Sequence, residues 1–189
     1  MSTIYEKDIS TDLKKFINYT KENAYYWAEF NIVTEDDDMP DVWIDTWDWT
    51  GADLNLAKQD LIALGTADGI GGYFALWDEG KNKPLEEMPV VILGSEGEFP
   101  LVAQNLKDLM RLMTTGEELS LNENTAWCSL DSIGNYNENY AQWIKKEFGL
   151  DPIQTEEEAN QIIQTANKIY GESFEAWAQK ALDPNFTIE

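Results

Sequence analysis

The sequence predicts an α+β fold, a single domain over residues 1–189 in which a central, mostly antiparallel sheet carries helices packed on one face. Three observations predict it. Strand-like apolar runs cluster between residues 59 and 94, turn-forming residues separate them, and helical periodicity flanks them at both ends. The recognisable core is about 59–116, and 117–189 reads as a mainly helical C-terminal part.

Residues 8–31 read as mainly helical, with Ile9, Leu13, Phe16 and Ile17 at helical spacing and Tyr26, Trp27 and Phe30 extending the stripe. In the segment 35–53, DVWIDTW alternates in character as a strand does, and DDDMP before it reads as a loop. QDLIAL (59–64), YFALW (73–77) and MPVVILG (88–94) read as three strands, the last almost wholly apolar and so interior to its sheet. LVAQNLKDLMRLMTTG reads as one helix, with Val102, Leu106, Leu109 and Met113 on one face and Gly116 at its C-terminal stop. The stretch from Thr114 to Asn139 reads as irregular, and a short helix follows around YAQWIKKEFG. Thr155 and Glu158 have capping-box spacing, which starts a helix that Gly171 closes; SFEAWAQKAL is one more helix, capped by Ser173.

Composition narrows the function. Asp and Glu number 36 against 13 Lys and Arg, a net charge of −23. Such a surface repels nucleic acid and anionic membranes and attracts cations and basic proteins. The chain has no histidine, which removes Ser-His and Cys-His nucleophiles and imidazole metal ligands. Cys128 is the lone cysteine, so no internal disulfide forms, and its apolar AWCSL context reads as a buried structural thiol. The N-terminal residues lack a secretory pattern and no apolar run spans a bilayer, so a cytoplasmic setting is expected.

GTADGIGGYFALWDEG places four glycines in eight residues, Gly65, Gly69, Gly71 and Gly72. A phosphate loop would lead into a helix N-terminus; the segment that follows is strand-like, no Gly-Lys-Ser or Gly-Lys-Thr occurs, and Asp68 lies within the loop. Asp68-Gly69 reads as a hairpin turn, with Gly71 and Gly72 permitting a bulge.

IALGTADGIGGYFALWDEG, MPVVILGSEGE and LVAQNLKDLMRLMTTG, taken in order from Leu61 to Gly116, resemble the SMI1/KNR4 (SUKH) superfamily. The resemblance rests on Asp68-Gly69, the aromatic strand Tyr73 to Trp77, Pro89 to Leu93, the turn Ser95-Glu96-Gly97-Glu98 and Val102 to Met113. It implies one α+β domain with a central sheet and no established catalytic residues or cofactor. It also implies a role as an immunity protein that binds and blocks a toxin domain, nucleases among them, or else an adaptor of the same fold with no toxin partner.

Residues 35–53 hold eight acids, three tryptophans and no Lys or Arg. Asp36, Asp37, Asp38, Asp41, Asp45 and Asp48 supply charge against the basic cleft of a nuclease, and Trp43, Trp47 and Trp49 supply rigid anchors. The bland counterpart is a solvated charge run with core tryptophans. Asp45 and Asp48 among tryptophans also resemble a glycan-cleaving carboxylate pair, although Asp and Trp are abundant enough here for chance pairing. A calcium loop starting at Asp36 fails the EF-hand pattern, since Pro40 stands at its fifth position and the required glycine is missing.

Overall fold

The structure, a computed structural model, describes residues 1–23, 27, 30–34, 53–67, 71–122, 124–129 and 137–188. It is an α+β arrangement built on a five-stranded sheet. The strands are β1 (Ser2–Thr3), β2 (Leu61–Thr66), β3 (Tyr73–Trp77), β4 (Val90–Leu93) and β5 (Leu101–Ala103), in that spatial order. β1 runs parallel to β2 and the other pairs are antiparallel. Every residue of β3, β4 and β5 is buried, so apolar runs without polar alternation become strands covered on both faces. β4 has a partner on each side, as its apolar run predicts.

The first helix, α1 (Thr11–Glu22), is shorter than the 8–31 periodicity suggests. Ser10 caps it, its hydroxyl accepting the Leu13 N–H at 3.1 Å, and Leu13, Phe16 and Ile17 face the core. Trp27 and Phe30 lie beyond it yet are fully buried. Trp27 stacks on Phe74 with ring centroids 5.3 Å apart, so the apolar stripe continues as packing after the helix has stopped.

A short helix, α2 (Leu54–Asp60), capped by Asp53, runs directly into β2. It occupies the first two positions of the QDLIAL segment, so the strand starts at Leu61 instead of Gln59. β2 and β3 form the hairpin that the glycine-rich stretch predicts, with Thr66 opposite Tyr73 and the Ala67 N–H donating to the Gly72 carbonyl at 2.8 Å. The turn residues Asp68 and Gly69 fall outside the described residues. The register shift lies between Ala63 and Gly65, not at Gly71 and Gly72. Its cause is visible on the outer side of β2. Residues 31–33 pass there, joined by the Val33 N–H to the Leu64 carbonyl at 3.1 Å and the Thr66 N–H to the Asn31 carbonyl at 2.9 Å. A Cβ on Gly65 would sit 2.5 Å from the Phe30 ring and 2.8 Å from the Asn31 carbonyl oxygen, so this close approach needs glycine.

The 101–116 segment divides. Val102 belongs to β5, not to a helix face, because Leu101–Ala103 pairs with β4. α3 (Leu106–Leu112) then starts at the Asn105 cap, and a 3₁₀ turn ends at Gly116 with φ 69°. The stretch read as irregular contains an antiparallel hairpin, β6 (Leu119–Asn122) with β7 (Thr125–Cys128). α4 (Glu138–Phe148) and α5 (Glu156–Ala181) complete the chain.

α5 is one helix of 26 residues, not two. Gly171 lies buried within it and Ser173 donates its hydroxyl to the Tyr170 carbonyl at 3.0 Å, so neither residue ends or caps a helix. Thr155 does cap α5, accepting the Glu158 N–H at 3.2 Å, while the Glu158 carboxylate reaches one residue further back, to the Gln154 N–H at 2.9 Å. Phe174, buried on this helix, meets the Trp77 ring edge-on at 4.9 Å and ties α5 to β3.

Candidate functional site

Asp36, Asp37, Asp38, Asp41, Trp43, Asp45, Trp47, Asp48 and Trp49 all lie outside the described residues, and so does the strand expected at DVWIDTW. What the structure places are the two stems of that segment. On the N-terminal side, residues 31–33 are bonded along β2 as described above. On the C-terminal side, the Asp53 N–H donates to the Lys180 carbonyl at 3.1 Å, and Asp53 also caps α2. The acidic, tryptophan-bearing stretch therefore departs from the sheet edge and returns at the C-terminal end of α5.

Beside the C-terminal stem stands a buried carboxylate that the sequence did not single out. Asp60, 8% exposed, ends α2 and accepts the Trp177 indole N–H at 2.8 Å. Its own carbonyl accepts the Asp78 N–H at 2.7 Å, which links α2 to the end of β3. Burial raises the Asp60 carboxyl above its ordinary range. The Trp177 N–H opposes that rise, the Asp78 charge adds to it and Lys180 offsets part of it. A carboxyl this close to an apolar run carries no sequence signal, because its partner is 117 residues away.

Two open concavities flank the sheet. One, of about 550 Å³, has a floor of Ile62, Leu85 and Met88 and a rim of both charges, Lys7, Asp8, Asp78, Lys83 and Glu86. Lys83 is drawn aside, its ammonium 2.7 Å from the Glu79 carboxylate and 3.5 Å from the Tyr170 hydroxyl. Burial alone would raise the Glu79 carboxyl, but hydrogen bonds from Lys81 and Lys83 outweigh it and hold the group below its usual range. The second concavity, about 520 Å³, lies between α3 and α5 and presents Asp108, Glu157 and Glu158 around Arg111. Arg111 Nε donates to the Asp151 carbonyl at 2.9 Å. Burial raises the Asp108 carboxyl, against a hydrogen bond from Gln104 and the Arg111 charge.

Cys128 is buried, and burial pushes its thiol up to about 11; Thr115 opposes this while Glu156 and Glu117 reinforce it. That is the inert structural thiol its sequence context predicts. Among the described residues, no three His, Cys, Asp or Glu side chains group as a metal site would require. Nor is any helix among them long and apolar enough to cross a membrane. The chain matches no protein-family model, no curated protein and no solved structure.

Proposed function

We propose that this protein is a non-catalytic binding protein of the SMI1/KNR4 type, acting in the cytoplasm as an immunity protein that neutralises a toxin domain with a basic surface. The observation that carries the reading is the concentration of charge. A net −23 includes an acidic, tryptophan-bearing segment, and both stems of that segment are fixed to regular structure. Fixed stems lower the ordering cost of a binding segment, and a one-signed field raises its capture rate for a basic partner. Asp36, Asp37, Asp38, Asp41, Asp45 and Asp48 provide the field in this reading, with Trp43, Trp47 and Trp49 as anchors.

The test is a pull-down of the neighbouring gene's product, followed by titration at rising salt. Binding is expected to weaken roughly tenfold or more between low and physiological ionic strength, and again when Asp36, Asp37 and Asp38 become Asn. A complex indifferent to both changes would overturn the acidic-face mechanism.

A further inference from the structure

The described strands protect their outer edges by different devices, and at one edge the described residues supply none. The outer side of β2 is taken by β1 and by residues 31–33. β1 is two residues long, too short to template another chain. On β5, Asn167 Nδ2 donates to the Leu101 carbonyl at 3.0 Å. On β7, the Asn160 side chain takes both backbone groups of Cys128, accepting its N–H and donating to its carbonyl, each at 2.9 Å.

That last contact fixes which way β6 faces. Because the Cys128 N–H and C=O point away from β6, the directly opposed pair Leu119 and Cys128 is not hydrogen-bonded across the hairpin. The Leu119 N–H and C=O therefore point to the opposite side, and those of Leu121, two residues on, do the same. Among the described residues, neither a strand nor a side-chain hydrogen bond occupies that side.

The surroundings say what fits. Between Arg111 and Lys145 the sequence has no Lys or Arg, and among the described residues of that interval Glu117, Glu118 and Glu138 are acidic. On the hairpin's outer face Trp127 is 41% exposed, opposite the small side chain of Ser120. A cation extending from an added strand crosses over Ser120 to reach the Trp127 ring. A second copy of the chain brings another net −23 to the same edge and is disfavoured.

We infer that the outer edge of β6 accepts an extended, lysine- or arginine-bearing segment of a partner protein, which adds as a strand through Leu119 and Leu121 and lays a cation on Trp127. This rests on the basic-partner reading above and names a second contact for that partner.

The probe is a synthetic ten-residue peptide alternating lysine with valine, at low salt, and the readout is amide hydrogen exchange resolved by residue. Exchange at Leu121 and Leu119 is expected to slow roughly tenfold or more on saturation. Trp127→Ala is expected to weaken peptide binding roughly fivefold or more, the scale of an exposed cation–π contact or above. Leu121→Pro removes an N–H that no described residue accepts and should abolish binding with the far-ultraviolet circular dichroism unchanged. Binding that leaves both amides unchanged overturns the inference, as does equal binding of the peptide N-methylated at alternate residues, or no binding at millimolar peptide. If the same amides become protected without peptide as concentration rises, the occupant is a second copy and the inference fails. Salt-sensitive partner binding that survives any of these results leaves the acidic-segment reading standing.

Discussion

Asn160, in the second turn of α5, pairs with the backbone of Cys128 as a neighbouring strand would. Its amide nitrogen donates to the carbonyl and its amide oxygen accepts the N–H, both at 2.9 Å. One side chain thus docks the β6–β7 hairpin onto α5. Asn160→Ala leaves two partly buried backbone groups unpaired and should lower unfolding free energy by about 2–3 kcal/mol. Asn160→Asp keeps the acceptor but sets a carboxylate against the Cys128 carbonyl, so it should not restore stability at neutral pH. Urea denaturation of both variants checks this.

Asp60 carries a pH dependence of definite sign. Its folded carboxyl is raised, so the folded state holds that proton more tightly than the unfolded chain. The contribution of Asp60 is therefore most favourable at acid pH and is lost as pH rises from the ordinary carboxylate range through the raised value. Asp60→Asn keeps an oxygen for the Trp177 N–H and removes the buried charge; it should match or exceed the wild type at pH 7 and flatten this part of the profile. Asp60→Ala orphans the indole N–H and should cost about 1–3 kcal/mol. Thermal melts between pH 4 and pH 8 would separate the two variants.

Two glycines should respond oppositely to alanine. At Gly65 the new methyl would meet the Phe30 ring at 2.5 Å and a backbone oxygen at 2.8 Å, so the sheet edge must move. A loss of about 2–3 kcal/mol is expected from overpacking at this site. At Gly171 the nearest atom is Ile188 Cδ1 at 3.8 Å, an ordinary contact, and the backbone is helical. There alanine should stabilise by about 0.5–1 kcal/mol through helix propensity. Denaturant midpoints of the two variants should move in opposite directions.

The Cys128 thiol, pushed up to about 11, is almost wholly protonated at pH 8. Alkylation of the native protein should run at least about a hundredfold slower than that of the denatured chain. The same displacement makes stability fall as pH rises above the ordinary thiol range, because the unfolded chain ionises first. Iodoacetamide labelling with mass detection reads the first effect.

The parts of the fold legible in the sequence are those where local pattern and tertiary packing agree. YFALW, VVIL and the helix around Tyr140 to Phe148 are segments of this kind, and the cap at Thr155 marks a helix start. β5 was concealed because Leu101–Ala103 runs into a helix whose apolar spacing absorbs Val102. The β6–β7 hairpin carried an alternation, Leu119 and Leu121 against Ser120 and Asn122. Its strands are only four residues long, and its second strand exposes a tryptophan, against the usual polarity. Gly171 gave a false stop because a glycine that adjoins the chain's C-terminal tail looks, in sequence, like one that ends a helix. For the candidate site, the acidic run was legible as composition. Asp60 with Trp177 and Asn160 with Cys128 were not, since each pair is joined only by tertiary packing.

The long helix α5 lies against β5, β7, α2 and α3, and its last turn holds the stem at Asp53. Assembly therefore has an order. While residues 156–181 are still emerging from the ribosome, the sheet lacks one wall and the hairpin lacks its dock. The nascent chain must wait with its apolar strands unshielded, and its heavy negative charge then serves as a solubility guard during synthesis.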